Sequence, residues 1–246
     1  MSTKHFLSAS AAAVLLMAGA TAQAGTVSFT NWAYPGGNVV SVTGHANQAA
    51  GGFAISLTGF GAFDGAFESY CVELTEHIGL RASYPSETNS NSYTIVSAAD
   101  YFATKAGVAA RLKDLISYVK GASVFENASD DSKQSTALQL AIWNTVYDTD
   151  NTLNVSSGVP FSETSGSYRF GATDYAGADA LLSGSVGYSS RVNYELFVLS
   201  SGKPYADSAG QQDQLIWRQT VPEPASLALV GLALGGAAFA SRRRRG

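Results

Sequence analysis

The chain has 246 residues, a formal net charge of −4 and only 14% charged residues. An acidic balance with so few charges argues against nucleic acid as a partner, and the length leaves room for one domain with a sizeable core between terminal signals. Its single cysteine excludes an internal disulfide.

The chain begins Met1-Ser2-Thr3-Lys4-His5, runs apolar from Phe6 to Ala20, and then reads Ala22-Gln23-Ala24-Gly25. A basic start, a short apolar middle and an A-x-A site are the parts of a secretory signal peptide, which predicts removal of residues 1–24 by signal peptidase. The mature chain opens with short strand-like pieces at Thr26 to Trp32, Asn38 to Thr43, Phe53 to Thr58 and Phe67 to Leu74. Gly-rich turns such as Pro35-Gly36-Gly37 and Gly51-Gly52 separate them, as antiparallel strands require. Asn89 to Ser92 reads as a loop.

The periodicity then changes. Val108, Leu112, Leu115, Ile116 and Val119 fall at helical spacing, with Gly121 as a plausible stop. A second helix is expected from about Asp130, Asp131 or Ser132 to Tyr147, since acidic and hydroxyl side chains suit exposed helix N-terminal amides. A weaker helical stretch lies between Asp174 and Leu182, and Asp148 to Gly171 reads as loop. Period two returns in Arg191 to Leu199, and Leu215 to Thr220 reads as a last strand. Strands, then helices, then strands predict an α+β domain over 25–220: a barrel-like or sandwich-like antiparallel sheet interrupted by a helical subdomain at about 100–182.

The chain ends with Val221-Pro222-Glu223-Pro224, an apolar stretch from Ala225 to Ala240, and Ser241 followed by Arg242, Arg243, Arg244 and Arg245. As a helix the stretch would be about 24 Å long, able to span a membrane with its flanks, with the arginines on the cytoplasmic side. Pro-Glu-Pro, a short span and a terminal arginine cluster closely resemble the PEP-CTERM sorting signals of Gram-negative bacteria. That resemblance implies an exosortase-type membrane peptidase as a partner and a transient stay in the inner membrane. The expected destination is the cell surface or extracellular matrix. An ordinary single-pass anchor is the plainer alternative.

Cys71 sits in Ser69-Tyr70-Cys71-Val72-Glu73-Leu74, and the second helix carries Thr136-Ala137-Leu138-Gln139-Leu140-Ala141-Ile142-Trp143. On a helix Gln139 shares a face with Ile142, Trp143 and Val146, where its amide needs polar partners. Ordinary hydrogen bonding and a bond to Cys71 both meet that need. The two segments resemble the paired motifs of Cys-Gln thioester-forming domains of bacterial surface adhesins, an aromatic-Cys segment and a T-Q-x-A-x-W helix. Tyr70 and Cys71 match the first, and Gln139, Ala141 and Trp143 match the second; Leu138 stands where the adhesin motif has Thr. The resemblance implies a Cys71–Gln139 thioester with Tyr70, Ala141 and Trp143 around it. Its use would be a single covalent attachment to an amine-bearing surface or matrix partner, not catalytic turnover, and it needs no cofactor.

Other readings compete. A buried structural thiol with a core glutamine, in a matrix protein carrying the same tail, needs no reactive bond. Glu73, Glu76 and His77 follow Cys71 closely enough to suggest a thiol hydrolase, but no third orienting residue can be named. His45 and His77 lack metal-ligand spacing, and Asp130-Asp131 and Asp148 to Asp150 lack the Gly and Glu of a calcium loop, so no metal is expected.

Overall fold

The computed structural model describes residues 24–34, 38–42, 45–74, 92–122, 124, 131–148, 151–155, 173–192, 194–201 and 212–220. Apart from Ala24, the N-terminal signal lies outside these residues, as does the whole tail at 221–246 with its apolar stretch 225–240. Among the described residues no helix is long and apolar enough to cross a membrane.

Eight strands are described: β1 (Ala24–Trp32), β2 (Asn38–Val42), β3 (His45–Ala50), β4 (Phe53–Thr58), β5 (Gly65–Cys71), β6 (Ser92–Ser97), β7 (Tyr194–Ser200) and β8 (Gln214–Gln219). Six of them close a barrel in the order β1-β4-β5-β8-β7-β6, and every pairing is antiparallel. β2 and β3 form a separate hairpin. Four helices, α1 (Ala98–Tyr101), α2 (Val108–Gly121), α3 (Asp131–Tyr147) and α4 (Thr173–Gly184), lie in the chain between β6 and β7. The fold is therefore α+β, a barrel with helices, and it is a barrel rather than a sandwich.

Side-chain alternation explains the barrel. In β4 the residues Phe53, Ile55 and Leu57 are buried while their neighbours are not, and Val27 and Phe29 do the same in β1. The alternation fails where β5 meets β8. Ser69, Tyr70, Cys71 and Val72 are all buried, and so are Gln214, Leu215 and Ile216. Here both faces of the sheet are covered, and α3 contacts β5. A strand covered on both faces has no polar side to show.

Three sequence expectations change. β3 and β6 were not foreseen, and Ser92, read as the end of a loop, opens β6 opposite Thr26. Gly121 is the last residue of α2 rather than a stop beyond it. A Cβ at Gly121 would lie 2.9 Å from Val192 Cγ2, so its role is close approach. α3 is buried from Ser135 through Val146 rather than along one stripe, because it contacts α2, α4, β2, β3 and β5.

Candidate functional site

β4 pairs with β5 only as far as Ser69, opposite Phe53. Beyond that point the β4 side of β5 has no strand partner, and buried backbone groups need one. Gln139 of α3 supplies it. Its Oε1 accepts from the Cys71 N–H at 3.0 Å, and its Nε2 donates to the Cys71 carbonyl at 2.8 Å. The amide thus extends the sheet edge by one strand-like step. On the other side Cys71 pairs with Gln214 of β8, and the Val72 N–H donates to the Asp213 carbonyl at 3.1 Å.

The sulfur has different partners. Cys71 Sγ donates to Gln212 Oε1 at 2.6 Å and accepts from Gln214 Nε2 at 3.2 Å. Gln214 Oε1 in turn accepts from Ser69 Oγ at 3.1 Å, and Gln212 Nε2 donates to the Glu73 carbonyl. Cys71, Gln139, Gln212 and Gln214 are all buried. Burial pushes the Cys71 thiol up from 9.0 to about 12; the nearby Glu73 charge adds to the rise, and the Gln214 amide opposes it. At neutral pH the group is a neutral thiol wrapped in amides.

A carboxylate cluster adjoins this centre. Asp213 accepts from the Ser201 N–H at 2.7 Å, Ser200 Oγ at 3.0 Å and Tyr101 Oη at 2.7 Å. Glu73 lies 3.2 Å from Tyr101 Oη and accepts from the Asp213 N–H at 3.2 Å. Burial and then the Glu73 charge raise the Asp213 carboxyl above its usual range, against the hydrogen bonds it accepts. Among the described residues no group of three His, Cys, Asp or Glu is gathered to hold a metal ion.

The residues singled out from the sequence are distributed as follows. Cys71 and Gln139 are in direct contact, through backbone and amide rather than through sulfur and carbonyl carbon. Tyr70 is fully buried; its hydroxyl meets Ser135 Oγ at 3.1 Å and Glu68 Oε1 at 2.9 Å, and its ring stacks on Trp217 at 6.0 Å. Ala141 and Trp143 are fully buried in α3, and the Trp143 indole N–H has no hydrogen-bond partner among the described residues. Glu76 and His77 lie outside the described residues. Sequence reasoning missed Gln212 and Gln214. The signal was Gln211-Gln212-Asp213-Gln214, a run of amides and a carboxylate leading straight into an apolar strand.

The PEP-CTERM protein-sorting motif family matches residues 220–245. The motif marks an exported chain that passes through the membrane and is sorted by an exosortase, a membrane peptidase. No curated protein and no solved structure matches the chain.

Proposed function

We propose that Cys71 forms an internal thioester with a glutamine side chain, and that the acyl group is then passed once to a primary amine on a surface or matrix partner, fixing the exported protein there. The observation that carries this reading is the 2.6 Å contact between the Cys71 sulfur and the Gln212 carbonyl oxygen in a buried setting. In bond formation Sγ adds to the Gln212 side-chain carbonyl carbon, Cδ–Nε2 breaks, and the thiol proton leaves with the nitrogen as ammonia. Two groups fixed in contact react as if at very high concentration, which offsets the weak nucleophilicity of a neutral thiol. Burial keeps water from hydrolysing the product.

On this assignment Gln139 is a positioning residue that holds the Cys71 backbone in place. A second reading, with Gln139 as the acyl donor as the adhesin resemblance implies, is favoured by the Cys71 N–H on its carbonyl oxygen, which polarises it towards attack. Transfer to an amine forms a C–N bond, breaks Cδ–Sγ and returns the thiol.

Intact mass of the exported protein is the test. The expected mass is short by one ammonia, and Cys71→Ala restores the full value. Methylamine should then add to the protein and release one thiol. Fragmentation identifies the glutamine that carries the methyl amide, and so decides between Gln212 and Gln139. A full-mass wild-type protein whose thiol alkylates without methylamine would leave Cys71 a structural residue in a matrix protein.

A further inference from the structure

A cleft of about 200 Å³ opens between Val72 and Glu73 at the end of β5, the segment from α1 to α2, and the C-terminal turn of α3. Glu73, Tyr101, Lys105, Val146 and Tyr147 line it. We propose that this cleft is the port through which the acceptor reaches the acyl group, that it selects an unbranched primary alkylamine such as a lysine side chain, and that Lys105 plugs it at rest. This rests on the thioester reading with Gln212 as donor.

Three observations carry the proposal. The first is position. Gln212 Nε2, the nitrogen lost as ammonia, donates to the Glu73 backbone carbonyl, and Glu73 is part of the cleft wall. An attacking amine takes the place that ammonia leaves, so it arrives beside Glu73. The second is the number of hydrogens. A primary amine yields a secondary amide, which keeps one N–H for the Glu73 carbonyl. A secondary amine would yield a tertiary amide, which has no N–H to take over the bond that Gln212 Nε2 makes to that carbonyl.

The third is an occupant already in place. The Lys105 ammonium lies 4.6 Å from the centre of the Tyr147 ring and donates to the Val146 carbonyl at 3.3 Å. An aromatic face and a carbonyl oxygen are what an alkylammonium ion seeks, and the Glu73 carboxylate adds the charge. Burial lowers the Lys105 pKa against the opposing pull of Glu73.

The experiment compares the exported wild-type protein with Glu73→Gln and Lys105→Met, each first checked for ammonia loss, so that only molecules with an intact bond are scored. The probes are n-butylamine, diethylamine and hydroxylamine, and mass gain is followed with time. Wild type should take n-butylamine and reject diethylamine. Glu73→Gln should slow n-butylamine by about tenfold, the scale of one hydrogen bond to a charged group, and leave the neutral hydroxylamine unchanged. Lys105→Met should speed n-butylamine by roughly threefold, as expected when one cation–π contact no longer competes. Equal rates for n-butylamine in all three proteins would overturn the proposal. A second arm does not need the bond: n-butylammonium is titrated into Cys71→Ala protein and the Tyr147 ring resonances are followed. Saturable shifts that Glu73→Gln weakens support the cleft, and their absence overturns it. A wild-type protein of full mass would sink the thioester while the titration still decides the cleft.

Discussion

A thiol enclosed by amides behaves unlike a thiol beside a histidine. The described partners of the Cys71 sulfur are Gln212 and Gln214, neither of which can take a proton at ordinary pH. Among the described residues the lowering pull of the Gln214 amide is outweighed, so the thiol pKa moves opposite to what a cysteine hydrolase requires. Burial instead holds it at about 12. Because the folded pKa is raised, the neutral thiol persists below it and thiolate accumulates only as pH climbs towards it. Once methylamine has released the thiol, its alkylation by iodoacetamide should quicken about tenfold per pH unit from pH ~8 to ~11, without levelling off. Levelling off by pH ~10 would mean an ordinary exposed cysteine. The sequence made Cys71 and Gln139 conspicuous because one is the lone cysteine and the other interrupts an apolar helix. It gave no measure of which atoms meet. The strand-like service that Gln139 performs depends on β4 ending opposite Ser69, which is a matter of register between strands.

Between elements, the contacts that set this register converge on one turn. The Gly52 N–H, at the turn from β3 to β4, donates to Ser135 Oγ of α3 at 2.8 Å, and Ser135 also meets the Tyr70 hydroxyl of β5. A Cβ on Gly52 would lie 2.8 Å from Tyr70 Cζ. Tyr70 is fully buried and cannot move aside cheaply. Gly52→Ala should therefore cost about 1–3 kcal/mol, a fall of roughly 3–10 °C in a thermal melt followed by circular dichroism. It should also slow ammonia loss, because Cys71 follows Tyr70 directly. A melt unchanged from wild type would show that Tyr70 does not fix α3 against the barrel.

The same elements explain what pattern reading could reach. α2 was legible because Val108, Leu112, Leu115, Ile116 and Val119 mark one buried face. β4 was legible because one of its faces meets the barrel core. β6 was overlooked although Tyr93, Ile95 and Val96 have strand chemistry, because the serines around it read as loop. The doubly covered ends of β5 and β8 carry no alternation, so their meeting was invisible. Closure of the sheet into a barrel was not written in any single strand; it depends on β6 reaching β1, which in a chain cleaved after Ala24 rests on Gly25 and Thr26.

For the molecule as a whole, the sorting motif at residues 220–245 begins one residue after β8 ends. Exported protein recovered outside the cell should lack both residues 1–24 and the arginine cluster Arg242 to Arg245, which intact mass and terminal peptide mapping would read together. Mature protein that keeps the arginines would be held by a lasting anchor instead.

That adjacency also has a mechanical side. A pull from the C-terminal side reaches β8 before any other described element. β8 is laced to β7 along its full length, from Gln219 opposite Tyr194 to Gln214 opposite Leu199, but to β5 by only two pairs, Tyr70 with Leu215 and Cys71 with Gln214. On the β5 side the seam is short, and under tension it would be the first to unzip. The covalent link proposed from Cys71 to Gln212 would span that seam, and so would also act as a rivet until an amine arrived. Attachment to a partner would then remove the rivet at the moment load is first applied.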